Sequence, residues 1–273
     1  MTDYQTRFGG ISRLYGTQQA KWIEQARVCV VGIGGVGTWA AEALARSGIG
    51  HITLVDLDDI CMTNTNRQIH AMVGTVGQAK VDVMAQRIKL INPDCTVTCI
   101  EDFITADNLI EMIGTREASK FDYVIDAIDS INAKTALIAH CKRNKIGLLV
   151  TGGAGGQTDP SQIQYSDLAK TTHDPLLSKV RNLLRRDFNF SKNPKRKFGV
   201  DCVFSTEQLQ YPQEDGSVCQ MKANAEGSMR LDCNMGFGAA TMVTGTFGFF
   251  AASKAISKIL QKKQRELEQK QEG

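Results

Sequence analysis

Several features that define common protein classes are missing from this sequence. None of its eight cysteines forms a CxxC pair, so the paired thiols of many structural zinc sites are absent. The first residues, MTDYQTRFGG, contain no apolar segment, and we therefore expect no signal peptide. The formal net charge is only +3, which excludes a polycation that binds nucleic acid over its whole surface. Any nucleic-acid surface must therefore be local.

The composition itself is typical of a soluble globular protein. Hydrophobic residues make up 42% and charged residues 22% of the 273 positions. This length accommodates one large domain, or a domain with an elaborate insertion, around a substantial core. Most of the scattered cysteines are expected to be buried structural thiols. Scattered thiols without a secretion signal favour a cytoplasmic location.

One apolar segment leaves contact with a membrane open. Residues 236–256 read GFGAATMVTGTFGFFAASKAI and carry no charge before Lys254. This length approaches the roughly 20 residues of a transmembrane span. Several glycines and threonines, and the lack of a Leu/Ile-rich centre, favour a helix buried inside an α/β domain. We predict a buried apolar helix at 236–258, with peripheral or integral membrane association as the alternative.

Strand-like apolar runs alternate with helical segments through the first 157 residues. This alternation predicts an α/β fold with a Rossmann-like, doubly wound, mainly parallel sheet. The predicted strands are 27–33, 51–56, 95–100, 121–128 and 146–153, and the predicted helices are 11–26, 36–47, 76–91, 106–113 and 132–142.

The character of the chain changes after residue 157. Residues 162–169 are typical of an antiparallel strand, 200–207 form another predicted strand, and 170–198 are a polar, basic insertion. We therefore divide the chain into a Rossmann-like part, 1–157, and a C-terminal extension, 158–273. The two parts are expected to form one continuous domain. Charged residues from Ser257 on are predicted to be the frayed, solvated end of the apolar helix.

A glycine-rich turn follows the first predicted strand. Gly32, Gly34 and Gly37 allow the backbone to turn tightly and approach a phosphate, and the next helix adds amide donors. Asp56 lies nineteen residues past Gly37, where an acid can bind ribose hydroxyls. The order of strand, glycines, helix, strand and acid favours a nucleotide site over a bare structural turn.

The glycine pattern alone would fit NAD, but three neighbouring features argue against it. The turn carries an extra glycine, Gly35, and the acid is doubled as Asp56 and Asp58. A polar loop, 60–68, then follows. A dehydrogenase needs only to hold a ribose at this point, so these additions favour another nucleotide.

Residues suited to a triphosphate lie further along the chain. An enzyme that promotes attack at the α-phosphate of ATP needs cations where negative charge builds up. Arg67 and Lys80 can supply that charge, and Asp126, at the end of the fourth predicted strand, can hold Mg²⁺ through oxygen. Singly, these residues would be a surface arginine, a solvated lysine and a strand-end acid. Their order after a glycine turn weakens that interpretation.

The run GxGGxG, DxD, NxxRQ, GQxK and D resembles the motifs of the ubiquitin-activating-enzyme-like adenylyltransferases, which include the molybdopterin-synthase and thiamine-biosynthesis activators. The resemblance implies ATP and Mg²⁺ as cofactors. It also implies adenylation of a carboxylate, in which the α-phosphorus is attacked and pyrophosphate leaves. The residues that it assigns to the ATP site are Gly32, Gly34, Gly35, Gly37, Asp56, Asp58, Asn64, Arg67, Gln68, Lys80 and Asp126.

The resemblance also implies individual roles for these residues. The acids at Asp56 and Asp58 hold the ribose, and Asn64 lines the phosphates. Arg67 and Lys80 handle the triphosphate and are predicted to be catalytic. Asp126 is the predicted magnesium ligand and is the third catalytic residue.

Two departures from the family pattern change what the resemblance implies. Bacterial activators of sulfur-carrier proteins usually carry two CxxC pairs that bind zinc, and because this chain has none we predict no zinc. Those proteins also carry an N-terminal arginine that reaches the partner subunit's ATP. The matching position in RFGG (7–10) is glycine, and we assign the role to Arg13, with Arg7 as the alternative. The implied assembly is a homodimer in which one of these arginines crosses over.

Three further segments resemble one branch of the family, the tRNA threonylcarbamoyladenosine dehydratases. They are RFGGISRLYG near the start, VTGGAGGQTDP after the fifth strand and GFGAATMVTGTFGF near the end. This resemblance implies an ATP-dependent enzyme that activates the threonyl carboxylate of a modified adenosine beside the tRNA anticodon. Intramolecular attack on the activated carboxyl would then close a ring with net loss of water.

Two other functions remain as alternatives at this point. The chain could adenylate the C-terminus of a small sulfur-carrier protein, or it could be a non-catalytic nucleotide sensor or protein-binding module. The retention of every phosphate-handling residue argues against the sensor. Whether a sulfur-relay protein docks on the chain is left open by the sequence.

A tRNA-modifying enzyme with this low net charge needs a local basic surface, and one segment can supply it. Residues 179–197 read KVRNLLRRDFNFSKNPKRK, with eight basic residues and one acid. Basic groups neutralise phosphates, and Phe188 and Phe190 could stack on unpaired bases. The alternative is a solvated helix with two core phenylalanines. The predicted tRNA contacts are Arg181, Arg185, Arg186, Lys195, Arg196 and Lys197.

Cys233 is the candidate for a cysteine nucleophile. It precedes the apolar helix in LDCN, and a thiolate near a helix N-terminus would be activated. Ring closure needs no enzyme nucleophile, because the attacking group already belongs to the substrate. The non-catalytic interpretation of Cys233 is therefore favoured.

Overall fold

A computed structural model describes residues 2–213, 215–220 and 237–272, and its centre is a seven-stranded sheet. The strands are β1 Arg27–Val31, β2 His51–Val55, β3 Thr96–Ile100, β4 Tyr123–Asp126, β5 Leu148–Thr151, β6 Ile163–Asp167 and β7 Asp201–Ser205. Their order is β3-β2-β1-β4-β5-β7-β6, and every neighbouring pair is parallel except β6 with β7. The predicted mainly parallel α/β sheet is confirmed.

The C-terminal extension joins this sheet instead of forming a separate layer. β7 pairs in parallel with β5, and only β6 runs antiparallel, against β7. A small hairpin of β8 Tyr211–Pro212 and β9 Val218–Cys219 lies apart from the main sheet. The predicted antiparallel extension is therefore, within the main sheet, a single edge strand.

Helices cover both faces of the sheet. The helices are α1 Asp3–Tyr15, α2 Thr17–Gln25, α3 Gly37–Arg46, α4 Lys80–Ile91, α5 Leu109–Ile113, α6 Ile131–Asn144, α7 Pro175–Asp187 and α8 Thr241–Glu272. Buried side chains of α2, α3, α4 and α8 share one hydrophobic cluster, and those of α5, α6 and α7 share the other. β1 serves both clusters by alternation, with Val30 in one and Val31 in the other.

The N-terminal segment forms two helices, whereas the sequence predicted one at 11–26. Thr2 caps α1 with a capping box, so the helix begins eight residues earlier than predicted. Gly16 then adopts φ +98, a left-handed conformation that glycine tolerates, and the chain turns into α2. The Tyr4 hydroxyl donates to Gly48 O at 2.6 Å, which anchors α1 beside the start of β2.

The helix predicted from residue 76 begins at Lys80. The segment before it is held as a turn, because Ile60 N donates to Gln78 O at 2.9 Å and Gly77 N donates to Ile60 O at 2.8 Å. Gly77 has φ +82, which ends any helical path at that residue. This turn places Lys80 in the first turn of α4.

The apolar C-terminal helix is buried, as predicted, although it begins at Thr241. Val243, Phe247 and Ala251 are fully buried, and α8 packs along α3. Residues beyond Ser257, predicted as a frayed end, continue the helix to Glu272. No helix among the described residues is both long and apolar enough to cross a membrane.

His70 ties the loop after β2 to the turn after β1. The side chain is fully buried, and its Nε2 lies 3.1 Å from Ile33 O. A carbonyl can only accept, so Nε2 carries the proton and donates. Burial lowers the pKa of His70 to about 4, and it outweighs the hydrogen bond to Ile33, which raises the pKa.

The contact between α8 and α3 generates a stability prediction. A Cβ added at Gly248 would lie 2.6 Å from Val36 O and 2.7 Å from Trp39 Cβ, whereas one at Gly245 would meet Trp39 at 3.7 Å. We expect Gly248→Ala to lower the free energy of unfolding by about 1–3 kcal/mol. The matched Gly245→Ala should be neutral, or should stabilise by up to about 1 kcal/mol through helix propensity. Urea denaturation measures both, and equal effects of the two substitutions would contradict the close packing.

His70 generates a second prediction, on pH. Its folded-state pKa of about 4 lies below the ordinary value of 6.5, so between these values the unfolded chain binds more protons. The free energy of unfolding should therefore fall as pH drops from 6.5 to 4, by up to about 3 kcal/mol from this residue. His70→Gln keeps a donor and removes the titration, so urea midpoints of this variant should lose that part of the pH dependence. An unchanged pH profile would count against the neutral buried histidine.

Candidate functional site

The glycine turn is a close-packed corner in which two glycines are required. Gly32 has φ +88, and a Cβ there would lie 2.8 Å from Ala127 O. A Cβ on Gly37 would clash with Gly32 O. The turn therefore folds back on itself and lies against the residues that follow β4. Gly35 faces Arg67, whose Cγ would be 3.3 Å from an added Cβ.

The two predicted ribose acids and Lys80 form one charged group at the carboxyl end of β2. Asp56 accepts from Ile33 N at 2.6 Å and from Asp58 N at 2.9 Å. Lys80 Nζ lies 2.6 Å from Asp58 Oδ2 and 3.9 Å from Asp56 Oδ1. Lys80 is 6% exposed, so its charge is largely shielded from solvent beside the glycine turn. The structure brings these three residues together as the sequence predicted.

The charge state of Asp56 reflects competing causes. Burial raises its pKa above the ordinary value, and the nearby Lys80 lowers it, as do the two backbone amides. Lys80 and the two amides therefore favour the ionised carboxylate against the effect of burial.

The predicted site residues of the polar loop after β2 differ in what they contact. Asn64 Oδ1 accepts from Cys61 N at 3.0 Å, which closes a short 3-10 turn at Met62–Asn64. Arg67 Nη1 donates to Thr63 O at 2.8 Å, and the Arg67 side chain covers Gly35. Gln68 is buried, and its Oε1 has no hydrogen-bond partner among the described residues.

The loop is also held from the far end of the chain. Trp39 Nε1 on α3 donates to Arg67 O at 3.0 Å. Asn66 Nδ2 donates to Ala239 O at 2.8 Å, and the Thr241 hydroxyl donates to Asn66 O. The start of α8 therefore fixes the backbone on which Arg67 is mounted.

Asp126 lies at the end of β4 in a fully buried ion pair. Its Oδ1 is 2.8 Å from Lys134 Nζ and accepts from Ile128 N at 3.0 Å. Its Oδ2 is buried and has no hydrogen-bond partner in the part of the chain that the structure describes. Burial raises the pKa of Asp126, and Lys134 opposes that shift. Lys134 was not predicted from the sequence. The sequence feature that could have indicated it is a lysine on the face of α6 that packs against the sheet.

This geometry fits a magnesium ion bound together with a nucleotide. No group of three or more His, Cys, Asp or Glu side chains able to hold a metal is found among the described residues. Mg²⁺ is usually held by one or two carboxylates together with substrate phosphates and water. The unpartnered Oδ2 of Asp126 can supply that single carboxylate ligand.

The two candidate crossing arginines lie outside this group within one protomer. Arg7 and Arg13 are both exposed on α1, and neither makes a hydrogen bond or ion pair with the glycine turn, Lys80 or Asp126 in the described residues. Tyr4 anchors α1 beside Gly48, which precedes β2, whereas the site lies at the carboxyl ends of the strands. The sequence assigned one of these arginines to the ATP site of a partner subunit, and that assignment stays a prediction.

The predicted tRNA contacts fall into two kinds. Lys195, Arg196 and Lys197 are exposed, as is Arg186, which pairs with Asp187 at 2.7 Å. Arg181 and Arg185 are partly buried and make internal contacts: Arg181 donates to the Thr171 hydroxyl, and Arg185 lies over the Phe198 ring at 5.3 Å.

The aromatic residues of the basic segment are core residues. Phe188 and Phe190 are partly buried and pack against the cluster beneath α7. Phe190 meets Phe198 with ring centroids 5.0 Å apart. These contacts match the alternative of two core phenylalanines, and the expected stacking of these rings on RNA bases is not favoured by their positions.

Six cysteines are free thiols: Cys29, Cys61, Cys95, Cys99, Cys141 and Cys202. Burial raises the pKa of Cys29 and Cys202 well above the ordinary value, so these are inert structural thiols. Cys61 is exposed beside Arg67, and its hydrogen bond with Thr63 lowers its pKa. Cys233 lies outside the described residues.

Known proteins share this architecture over nearly its full length. The tRNA threonylcarbamoyladenosine dehydratase of Escherichia coli (strain K12) is 60% identical over 263 residues, 96% of this chain and 97% of that protein. The corresponding protein of Haemophilus influenzae is 56% identical over 261 residues, 96% of each chain. The crystal structure of the E. coli dehydratase TcdA in complex with ATP matches with a TM-score of 0.85 and 55% identity, over 97% of this chain and 98% of that one.

A family comparison agrees with these individual matches. The ThiF family matches residues 8–272, which contain the glycine turn, the Lys80 and Asp126 groups, the basic segment and α8. This result confirms the family resemblance carried by the nucleotide-site motifs. The chain belongs to the ThiF family.

Proposed function

We propose that this chain is an ATP-dependent enzyme that dehydrates threonylcarbamoyladenosine beside the tRNA anticodon to its cyclic form. The observation that carries the proposal is the high identity to dehydratases over 96% of the chain. That span includes the basic segment and α8, which lie outside the shared nucleotide-site motifs. The ATP complex of the related E. coli structure supports ATP as the nucleotide.

The reaction begins with activation of the threonyl carboxylate. A carboxylate oxygen attacks the α-phosphorus of ATP, and pyrophosphate leaves. Intramolecular attack on the acyl-adenylate carbon then closes the ring and expels AMP, which carries away one carboxylate oxygen. Water is lost overall at the expense of one ATP, and no enzyme nucleophile is required, so Cys233 has no assigned role.

The residues of the candidate site have matching roles. The glycine turn (32–37) approaches the phosphates, and Asp56 with Asp58 binds the ribose. Lys80 and Arg67 stabilise the charge that grows on the triphosphate during displacement. Asn64 and Gln68 shape the loop that carries Arg67.

Magnesium belongs to the same proposal. Asp126 would hold Mg²⁺ through Oδ2, and the bound ion would neutralise phosphate charge as pyrophosphate leaves. Lys134 favours the ionised form of the Asp126 carboxylate and would fix its orientation. No zinc is included, because the chain lacks the CxxC pairs of zinc-binding relatives.

The assembly and surroundings are also proposed. A homodimer is supported by exposed apolar side chains on the loop after β2, where Met62 is 73% and Val73 is 106% exposed. In such a dimer Arg13 of one protomer, or Arg7, would reach the ATP of its partner. The exposed cations Arg186, Lys195, Arg196 and Lys197 would contact tRNA phosphates, with weaker roles for Arg181 and Arg185. A tRNA substrate and free thiols favour the cytoplasm.

Adenylation of a small sulfur-carrier protein is the weaker alternative. The two relatives that are 60% and 56% identical over 96% of the chain are dehydratases, and a carrier-protein activator does not require the basic segment. A sulfur-relay protein could still dock on the enzyme as a partner. ATP–pyrophosphate exchange that depends on a carrier protein and ignores tRNA would support the alternative.

Variants of the triphosphate residues test the catalytic assignment. We expect Lys80→Ala to reduce turnover at least about 100-fold, because it removes a cation from the developing charge. Asp126→Asn should do the same while leaving a neutral side chain of the same size beside Lys134. Lys89→Ala, an exposed lysine on the same helix, is the matched control and should retain activity. Near-normal turnover in folded Lys80→Ala protein would remove Lys80 from the mechanism.

Nucleoside mass spectrometry tests the proposed function directly. Transfer RNA from cells that lack this protein should contain threonylcarbamoyladenosine and lose its cyclic form. Purified protein with ATP and Mg²⁺ should restore the cyclic form on that tRNA, and Lys80→Ala protein should not. Cyclic modification that persists in the deletion strain would reject the dehydratase proposal.

A further inference from the structure

A cleft of about 570 Å³ opens between the start of α6 and the exposed face of α7. Residues 130–132 form one wall, and Lys179, Asn182, Leu183 and Arg186 form the other. This volume lies in the range of small-molecule sites, about 300–1,000 Å³. The cleft is therefore large enough for one nucleoside with a substituent.

The cleft combines groups that suit a substituted nucleoside. Lys179 and Arg186 supply positive charge, and no acid lines the cleft, although Asp187 pairs with Arg186 at the rim. The amides of Asn132 and Asn182 can each donate and accept, as the polar edge of a base requires. Ile131 and Leu183 add aliphatic surface for the face of the base.

The cleft adjoins the proposed ATP site through one short linker. Residues 127–130 connect Asp126 to the start of α6 and span at most about 14 Å. The glycine turn touches the first of these residues, because a Cβ on Gly32 would lie 2.8 Å from Ala127 O. ATP in the glycine turn and a ligand in the cleft would thus both border the same linker.

The cleft also belongs to the helix that begins the basic segment. Arg186, in the last turn of α7, lies at its rim. The exposed cations Lys195, Arg196 and Lys197 follow on the segment that returns beneath α7, where Arg185 covers Phe198. An RNA loop held on these cations would have the cleft beside it.

We propose that this cleft binds the modified adenosine itself, taken out of the anticodon loop. The base lies between the aliphatic side chains with its edge on the asparagine amides. Lys179 attracts the threonyl carboxylate to the end of the cleft that borders the linker, from which the carboxylate is directed to the α-phosphorus of ATP. The assignment rests on the proposed dehydratase function and adds the site at which the reacting nucleoside is held.

Binding of two RNA hairpins tests the assignment. Both hairpins have the anticodon stem-loop sequence, and only one carries the threonylcarbamoyl group. Without ATP, wild-type protein should bind the modified hairpin at least about tenfold more tightly, because the carboxylate gains a charge-assisted contact. Lys179→Ala and Asn182→Ala should reduce that preference to less than about threefold. Both side chains are exposed, so the variants should keep the wild-type melting temperature.

Lys192→Ala is the matched control, because Lys192 is an exposed lysine of the same basic segment that does not line the cleft. This variant should weaken binding of both hairpins by the same factor and should keep the preference for the modified hairpin. A preference that survives in Lys179→Ala and Asn182→Ala would overturn the nucleoside site. If Lys179→Ala and Asn182→Ala weakened binding of both hairpins by the same factor, the cleft would contact only phosphates, and the proposed nucleoside site would be overturned. The dehydratase function is tested separately, by measuring ATP-dependent turnover of modified tRNA by the wild-type protein.

Discussion

The buried ion pair of Lys134 and Asp126 is the interaction on which the edge of the sheet that carries the candidate site depends. Both side chains are fully buried, and their charged atoms are 2.8 Å apart. Removing two charges from water costs several kcal/mol, which only good geometry and further hydrogen bonds can offset. Ile128 N supplies one such bond to the carboxylate, and the Thr151 hydroxyl donates to Asp126 O. The pair thereby fastens α6 to β4 and β5 at the point where the glycine turn meets the sheet.

The charge of Lys134 also acts on α7, through a second buried acid. Asp174 caps α7 by accepting from Leu177 N, and it holds the end of β5 by accepting from Gly153 N, each at 2.9 Å. Burial raises the pKa of Asp174, and Lys134 is among the groups that lower it. One lysine therefore supports the acid of the proposed metal site and the cap of the helix that lines the cleft. Loss of Lys134 would remove a cation that lowers the pKa of two buried carboxylates.

Local patterns in the sequence predicted much of the fold, and long-range contacts account for what they missed. The glycine turn, Asp56 and the parallel strands follow from runs that are contiguous in the chain, and the structure places them as expected. The break at Gly16 and the late start of α4 at Lys80 depend on a left-handed glycine and on bonds to a distant turn. Lys134 looked like any helical lysine, because only the packing of α6 against β4 buries it. Arg13 differs from these residues, because its proposed role is at the ATP site of a partner protomer and cannot be seen in a single chain.

The contacts between α8 and the loop after β2 have a consequence for the order of synthesis. Asn66 and Arg67 are held by residues that follow them by more than 170 positions. A ribosome-bound chain can form β1, the glycine turn and Lys80 long before α8 emerges. Until then the backbone that carries Arg67 has the bond from Trp39 but lacks the contacts from α8, and Gly35 lacks its contact with the Thr244 methyl group. The backbone that carries Arg67 therefore gains its full set of contacts only after α8 has been synthesised.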